Sequence, residues 1–219
     1  MLNHKRVTLF CGHYGSGKTN IAVNYAFLLR KLGKEVNVAD MDIVNPYFRT
    51  KDSEKELNDA GINLISPHYA NTNVDLPSLP QELYGLFEFH DKYAVLDIGG
   101  DDRGAYALGR FSPFILEEND YNNLFVANFY RPLTRTPGEA LEVMREIEIA
   151  GKIPFTGIVN NSNLGEETTL EDVEKTVSLA EELARISGIP VVKTAVKRNL
   201  ISGDIGDDIL PLDLQAKYY

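Results

Sequence analysis

Short apolar segments recur along the chain, separated by stretches in which apolar residues have helical spacing. The apolar segments are residues 7–11, 36–40, 63–66, 94–98, 123–128, 155–160 and 191–195. Most of them are apolar at successive positions and not at alternate ones, which is typical of parallel strands that helices cover on both faces. The pattern therefore predicts a parallel sheet buried between helices.

The longer stretches with helical spacing predict helices at residues 19–32, 137–150 and 169–187. Thr136, Pro137 and Glu139 provide an N-cap, a proline at the first helical position and a capping-box glutamate. Gly188 and Pro190 end the third helix. Strands that alternate with helices predict a three-layer α/β/α sandwich with a mostly parallel sheet. No linker-like tract interrupts the pattern, so we expect one domain over residues 1–219.

The loop after the first strand matches the phosphate-binding pattern G-x-x-x-x-G-K-[ST] over residues 12–19. Its glycines allow backbone N–H groups to turn toward a phosphate chain. Lys18 has the reach for the β- and γ-phosphates, and Thr19 offers a hydroxyl to Mg²⁺. The helix that follows directs its N-terminus at the anion. We assign to nucleotide binding the residues Gly12, His13, Tyr14, Gly15, Ser16, Gly17, Lys18, Thr19 and Asn20.

Carboxylates follow the second and fourth predicted strands. Asp40 and Asp42 lie at the end of strand two, and Asp97 lies near the end of strand four, just before two glycines. In this architecture ligands bind at the carboxyl ends of the strands, which is where these side chains lie. Beside a magnesium nucleotide, one carboxylate orients or deprotonates the attacking water and others support the metal. We assign Thr19, Asp40, Asp42 and Asp97 to Mg²⁺, and Lys18 and Asp42 to catalysis.

Residues after the later strands complete the same edge. Asn160 and Asn161 follow strand six, where a side-chain amide can read a base. The Asn-Lys-x-Asp pattern of guanine-specific NTPases is absent, which favours ATP over GTP. Arg131 and Lys197 follow strands five and seven and are expected to be surface cations. Residues 101–103 are expected to form a loop.

The composition narrows the possible partners. The formal net charge is −10 and the sequence pI is about 4.9, so we expect no general attraction to nucleic acid. We find no signal peptide and no apolar stretch long enough to span a membrane, so we expect a soluble, cytoplasmic protein. The segment 209–214 carries a proline and an acid and does not look like a basic amphipathic membrane anchor. Cys11, the single cysteine, is expected to be a small buried residue.

With these motifs in this order, the chain resembles the MinD/ParA branch of the P-loop NTPases, in the SIMIBI class, through about residue 195. The branch includes CobQ/CobB-type and metal-cofactor maturation ATPases. The resemblance implies the P-loop NTPase fold and ATP as the nucleotide, with Lys18 and Thr19 on phosphate and Mg²⁺. It also implies that Asp42 positions the hydrolytic water, that Asp97 supports Mg²⁺ and that Asn160 or Asn161 contacts adenine. Such proteins enclose two ATP molecules in a homodimer and use hydrolysis as a timer.

One position departs from that branch. Its phosphate loop carries a signature lysine that reaches the nucleotide of the other subunit, and here the residue at this position is His13, followed by Tyr14. A neutral imidazole cannot stabilise transition-state charge as a lysine does. We hypothesise that His13 acts at a dimer interface, or that Arg103 or Arg131 supplies the missing charge.

The sequence therefore predicts a Mg-dependent ATPase that works as a nucleotide-controlled switch on dimerisation or on an unknown protein partner. A first alternative is a biosynthetic enzyme that activates a carboxylate with ATP, like dethiobiotin synthetase. Such enzymes carry a lysine just after strand two to hold an anionic substrate, and here Asp42 stands at that place. A second alternative is a nucleotide-binding module with negligible hydrolysis. The loop-rich segment 67–82 is a candidate partner surface.

Overall fold

A computed structural model describes residues 3–42, 50–66, 81–100 and 102–214. Within these residues the strands are β1 Val7–Cys11, β2 Val36–Met41, β3 Asn63–Ile65, β4 Tyr93–Ile98, β5 Tyr121–Ala127, β6 Gly157–Asn160, β7 Val191–Lys197 and β8 Ile209–Leu212. The helices are α1 Lys18–Lys31, α2 Glu54–Asp59, α3 Glu82–Glu88, α4 Asp102–Gly109, α5 Ser112–Glu118, α6 Pro137–Gly151 and α7 Leu170–Ser187. All the predicted strands and helices are present, with ends shifted by a few residues.

The strands form one sheet in the order β3-β2-β4-β1-β5-β6-β7-β8, and every described pair is parallel. β1 therefore lies near the middle of the sheet, with β4 on one side and β5 on the other. The strand order changes direction at β1, which is where open parallel sheets bind ligands.

Hydrophobic cores on both faces of the sheet hold the helices in place. In β1, Val7, Leu9 and Cys11 pack into one core with α3 to α7, whereas Phe10 packs into the other core with α1 and α2. Successive residues of a strand point to opposite faces, so a strand that is buried along its whole length needs helices on both sides. The predicted three-layer α/β/α sandwich and its P-loop NTPase architecture are confirmed.

The predicted capping signals operate in the structure. The Thr136 hydroxyl accepts a hydrogen bond from the Glu139 backbone N–H, and the Glu139 carboxylate accepts one from the Thr136 backbone N–H. Thr169 and Asp172 form the same reciprocal arrangement at the start of α7. Gly188 ends α7 in the left-handed conformation, as its position in the sequence predicts.

One sequence expectation is wrong: residues 102 and 103 do not form a loop, because α4 begins at Asp102. Several elements were not predicted. Segment 209–214 contains the strand β8, which pairs with β7 at the edge of the sheet, where Pro211 is tolerated. The short helices α2, α3, α4 and α5 were not predicted either. The candidate partner segment 67–82 lies mostly outside the described residues.

Among the described residues, no helix has both the length and the apolar character needed to cross a bilayer.

Candidate nucleotide site

The carboxyl ends of the strands place the predicted site residues along one edge of the sheet. Asp42 follows β2, Gly100 follows β4, and the phosphate loop, residues 12–19, follows β1. On the other side of that loop come Arg131 after β5 and Asn161 after β6. A cavity of about 340 Å³ runs along this edge from Asp42 to the end of β8. Its volume lies in the range of small-molecule sites.

The phosphate loop is shaped by its glycines and tied to a neighbouring loop. Gly17 has φ 89°, a left-handed conformation, and precedes the first residue of α1. A β-carbon there would lie 2.4 Å from Asn161 Nδ2, which donates to the carbonyl oxygen of Ser16 at 2.7 Å. Only glycine fits this position. Lys18, Thr19 and Asn20, the first residues of α1, line the cavity, so the N-terminus of this helix is available to an anion there.

Lys18 lines one end of the cavity, and Gly100 lies against it. The Lys18 side chain is buried, and its Nζ donates to the His13 carbonyl oxygen at 3.3 Å. A β-carbon on Gly100 would lie 2.7 Å from Lys18 Nζ and 2.7 Å from the Tyr14 backbone nitrogen. The backbone after β4 thus lies directly against two nitrogen atoms of the phosphate loop.

The two unusual residues of the loop occupy different surroundings. His13 is half-buried, and its Nδ1 lies 3.1 Å from the Tyr14 carbonyl oxygen, a distance at which an Nδ1–H donates a hydrogen bond. The Tyr14 side chain is 54% exposed and lines the cavity. Neither side chain has a contact among the described residues that fixes it toward the Lys18 end.

The predicted carboxylates come together behind the phosphate loop. Asp40 and Asp97 are paired neighbours in β2 and β4, and both are buried. Asp42 is buried as well and lines the cavity, and its backbone N–H donates to Asp40 Oδ1 at 3.0 Å. The Thr50 hydroxyl donates to Asp97 Oδ2 at 3.0 Å. Sequence reasoning did not single out Thr50, because no motif marks it.

Burial raises the pKa of the Asp97 carboxyl to about 6. The Lys18 ammonium and hydrogen bonds from Thr19 and Thr50 lower the pKa and offset part of this effect, while the Asp42 charge raises it. Loss of hydration is the largest cause, because the carboxyl is fully enclosed and the charged form is disfavoured there.

These residues fit a Mg²⁺ ion that phosphate oxygens also hold. Asp97 Oδ1 is buried and has no hydrogen-bond partner among the described residues, so it is an acceptor in need of a donor such as a metal-bound water. In the described part of the chain, no three His, Cys, Asp or Glu residues group closely enough to hold a metal alone. Mg²⁺ typically takes one or two carboxylates and completes its shell with water and substrate phosphates.

The two asparagines after β6 have different environments. Asn160 is fully buried: its Nδ2 donates to Thr176 Oγ1 at 3.1 Å, and its Oδ1 accepts from the Ser162 hydroxyl at 2.7 Å. Asn161 lines the cavity and contacts the phosphate loop. Alternation along the strand end thus directs one amide inward and the next into the site.

The far end of the cavity is mixed in character. Asn163, Glu166 and Lys197 line it together with apolar side chains of Val173 and Leu212. Lys197 Nζ lies 3.2 Å from the Glu166 carboxylate. An apolar enclosure with a few polar groups suits a planar heterocycle.

Arg131 and Lys197 were expected to be surface cations at this edge of the sheet, and both line the cavity. Arg131 is exposed, as expected, and donates from Nε to the Gly15 carbonyl oxygen at 3.1 Å. Lys197 is the last residue of β7 and is only partly exposed.

No protein-family model matches the sequence, and no curated protein matches it either. Solved structures of FtsY do match the fold. The cell division protein FtsY from Thermotoga maritima superposes with a TM-score of 0.62 at 18% identity, covering 94% of this chain and 65% of that one. Chloroplast FtsY from Physcomitrella patens gives 0.61 at 19% identity, covering 97% and 63%.

A third match is the signal recognition particle receptor FtsY from Elizabethkingia anophelis in complex with GDP. It gives a TM-score of 0.53 at 13% identity, covering 98% of this chain and 61% of that one. The chain thus spans less than two thirds of the length of these structures. The likeness establishes the P-loop NTPase fold and does not favour the MinD/ParA branch.

Proposed function

We propose that this protein binds and hydrolyses a magnesium purine nucleoside triphosphate and works as a nucleotide-controlled switch. The phosphates bind at residues 12–19 and the base binds at the far end of the cavity, next to Asn161. The nucleotide state then controls dimerisation or the binding of a protein partner.

The contact between Gly100 and the phosphate loop is the observation that carries the switch. A β-carbon on Gly100 would lie 2.7 Å from Lys18 Nζ, 2.7 Å from the Tyr14 nitrogen and 2.9 Å from the Tyr14 Cα, so no further atom fits between Gly100 and the phosphate loop. A γ-phosphate oxygen that reaches Lys18 Nζ from this side requires Gly100 to move. Binding of a triphosphate therefore displaces the start of α4, two residues further along the chain.

Hydrolysis requires an oriented water and stabilised phosphate charge. In the proposal Lys18 neutralises the β- and γ-phosphates, and Asp42 orients the attacking water from the cavity wall. Thr19, Asp40 and Asp97 would hold Mg²⁺, directly or through water. When bound, Mg²⁺ neutralises the charge that develops on the phosphate oxygens.

Some observations favour adenine as the base and others favour guanine. The sequence favours ATP. If the guanine-specific pattern Asn-Lys-x-Asp is aligned on Asn161, its aspartate position is occupied here by Leu164. GTP is favoured by the GDP complex of a structure with the same fold. The Glu166 carboxylate also lines the base end and can accept hydrogen bonds from the guanine edge. Direct competition between ATP and GTP for the wild-type protein decides between them.

The two alternative functions have less support. A carboxylate-activating enzyme needs a second cation, besides Lys18, to hold its anionic substrate near the γ-phosphate, and the described residue that follows β2 and lines the cavity there is the acidic Asp42. A module without hydrolysis is consistent with His13 at the lysine position, but it leaves the buried carboxylates Asp40, Asp42 and Asp97 without a role.

Phosphate release and solution mass test the proposal together. We expect the wild-type protein to release phosphate from ATP or GTP only with Mg²⁺, and Asp42→Ala to stop release while retaining the triphosphate. For a switch on dimerisation, the mass of Asp42→Ala doubles with the triphosphate and not with the diphosphate. Phosphate transfer to an added carboxylic acid, without release in its absence, would contradict the switch and support the carboxylate-activating enzyme.

A further inference from the structure

Arg131 lies on the side of the phosphate loop that faces away from the γ-phosphate end. Gly100 follows β4 and Arg131 follows β5, and these strands flank β1 on opposite sides. The loops after β5 and β6 therefore lie on the side of the phosphate loop where the base is proposed to bind, next to Asn161. Arg131 Nε donates to the Gly15 carbonyl oxygen of the phosphate loop.

The loop that carries Arg131, residues 128–134, is firmly held. The Thr134 hydroxyl donates to the Asn128 carbonyl oxygen at 2.8 Å, and the Arg131 backbone N–H donates to the same oxygen at 3.1 Å. The Tyr130 hydroxyl donates to the Asp172 carbonyl oxygen at the start of α7 at 2.8 Å. Such a loop presents its arginine in a defined place.

The same loop is joined to the loop that follows β6. The Phe129 backbone N–H donates to the Ser162 hydroxyl at 3.0 Å, and the Asn163 backbone N–H donates to Asn128 Oδ1 at 3.4 Å. Arg131 and Asn161 are thus parts of one hydrogen-bonded unit on the base side of the phosphate loop.

The guanidinium of Arg131 has no carboxylate partner among the described residues. In a chain with a net charge of −10, this cation lies at the cavity without local neutralisation. Lys197, by contrast, pairs with Glu166. An arginine in this position is available to a ligand that has a π-face or negative charge.

We propose that Arg131 contacts the nucleoside part of the bound nucleotide by stacking its guanidinium on the purine ring. This inference rests on the proposed nucleotide site. Arg131 then fixes the base and does not supply charge to the γ-phosphate. A stacked guanidinium does not distinguish adenine from guanine, because both bases offer a π-face.

Calorimetric titrations with Mg²⁺ present separate a nucleoside contact from a phosphate contact. The ligands are ATP, GTP, ADP and tripolyphosphate, and the proteins are wild type, Arg131→Ala, Arg131→Lys and the control Arg135→Ala. Arg135 is exposed, lies on the next segment and does not line the cavity. We expect Arg131→Ala to bind ATP, GTP and ADP about tenfold more weakly, by the same factor, while tripolyphosphate binds as in the wild type.

Arg131→Lys is expected to lose a large part of the same affinity, because lysine keeps the charge but not the plane. The inference is overturned if Arg131→Ala binds every ligand as the wild type does. It is also overturned if Arg131→Ala loses more affinity for ATP than for ADP and also binds tripolyphosphate more weakly, while Arg131→Lys binds ATP and tripolyphosphate as the wild type does. That is the behaviour of a phosphate contact. If the wild-type protein binds neither ATP nor GTP, the proposed function itself fails, and the inference fails with it.

Discussion

On the β4 side of the phosphate loop, Gly100 lies against Lys18 and Tyr14, and the buried Asp97 Oδ1 has no hydrogen-bond partner among the described residues. On the β5 side, side-chain amides and hydroxyls form hydrogen bonds. Both ends of the Asn160 amide are bonded, and Asn161 Nδ2 donates to a carbonyl oxygen of the phosphate loop.

This difference indicates that the two sides of the phosphate loop respond differently to a bound nucleotide. Close backbone contacts and a buried carboxyl with a raised pKa are costly arrangements that a bound magnesium nucleotide relieves. A satisfied network of amides gains little from movement and keeps its geometry. We therefore expect the β4 side to change with nucleotide state and the β5 side to remain as it is.

Replacement of Asp42 tests the chemical role of the β4 side and has the largest expected effect. Asp42→Asn should lower turnover about a thousandfold, because an amide orients the attacking water poorly and is a poor acceptor of its proton. Triphosphate affinity should stay within about threefold of the wild type, because the oriented water is needed for reaction and not for binding. The control is Asp59→Asn, at an exposed position at the end of α2. Steady-state phosphate release and equilibrium binding are measured on both variants, and equal turnover in both would remove Asp42 from the mechanism.

A methyl group on Gly100 tests the switch contact. In Gly100→Ala the new carbon would approach Lys18 Nζ and the Tyr14 nitrogen to 2.7 Å, so either the loop or the start of α4 must shift. The overpacked position is the one that a triphosphate displaces, so we expect triphosphate affinity to rise about tenfold to a hundredfold, the range that overpacking gives. Diphosphate affinity should stay nearly unchanged.

The matched control for that variant is Gly138→Ala in the first turn of α6, where nothing lies within 4 Å of the added carbon. Equal changes in di- and triphosphate affinity in Gly100→Ala, or a loss of triphosphate affinity alone, would show that displacement of Gly100 is not coupled to the γ-phosphate.

Adjacent asparagines sharpen the comparison on the β5 side. Asn160→Ala should lower the free energy of unfolding by about 2 kcal/mol, because it leaves buried partners at Thr176 and Ser162 unsatisfied. Asn161→Ala should instead weaken nucleotide binding, because this side chain lines the cavity. Chemical denaturation and nucleotide titration of both variants check the pair. If Asn160→Ala changes nucleotide affinity at unchanged stability, the assignment of the two amides is reversed.

The smallest effect concerns the pH dependence of stability in the nucleotide-free protein. The Asp97 carboxyl has a pKa of about 6 when folded, against 3.8 as its ordinary value. Between these values the native state binds more protons than the unfolded state, so this residue lowers the free energy of unfolding as the pH rises. We expect Asp97→Asn to remove this contribution to the pH dependence of the free energy of unfolding between about pH 4 and pH 7. Denaturation curves with parallel pH dependence in the two proteins would contradict the buried, protonated carboxyl.

The sequence was sufficient for the fold and for the placement of the phosphate loop and the carboxylates at one edge of the sheet. Apolar strands and a spaced glycine-lysine motif are local signals, and their order along the chain determines which loops meet at the sheet edge. Asp42 and Asp97 were found in this way.

Other parts depend on contacts that are distant in sequence. β8 contains Pro211 and is recognisable only by its pairing with β7. Which of Asn160 and Asn161 faces the cavity depends on the phase of one strand end. Thr50 and Arg131 belong to no motif, and their partners Asp97 and Gly15 are brought near them only by the folded sheet.

Titration of the wild-type protein and Lys18→Ala with Mg-ATP and Mg-GTP tests the central claim most directly. We predict one triphosphate per chain for the wild type, with a clear preference for one base, and an affinity reduced at least about a hundredfold in Lys18→Ala. Thermal unfolding without nucleotide confirms that the variant is folded. Binding of neither nucleotide by the wild type, or equal binding by Lys18→Ala, would contradict a nucleotide site at residues 12–19.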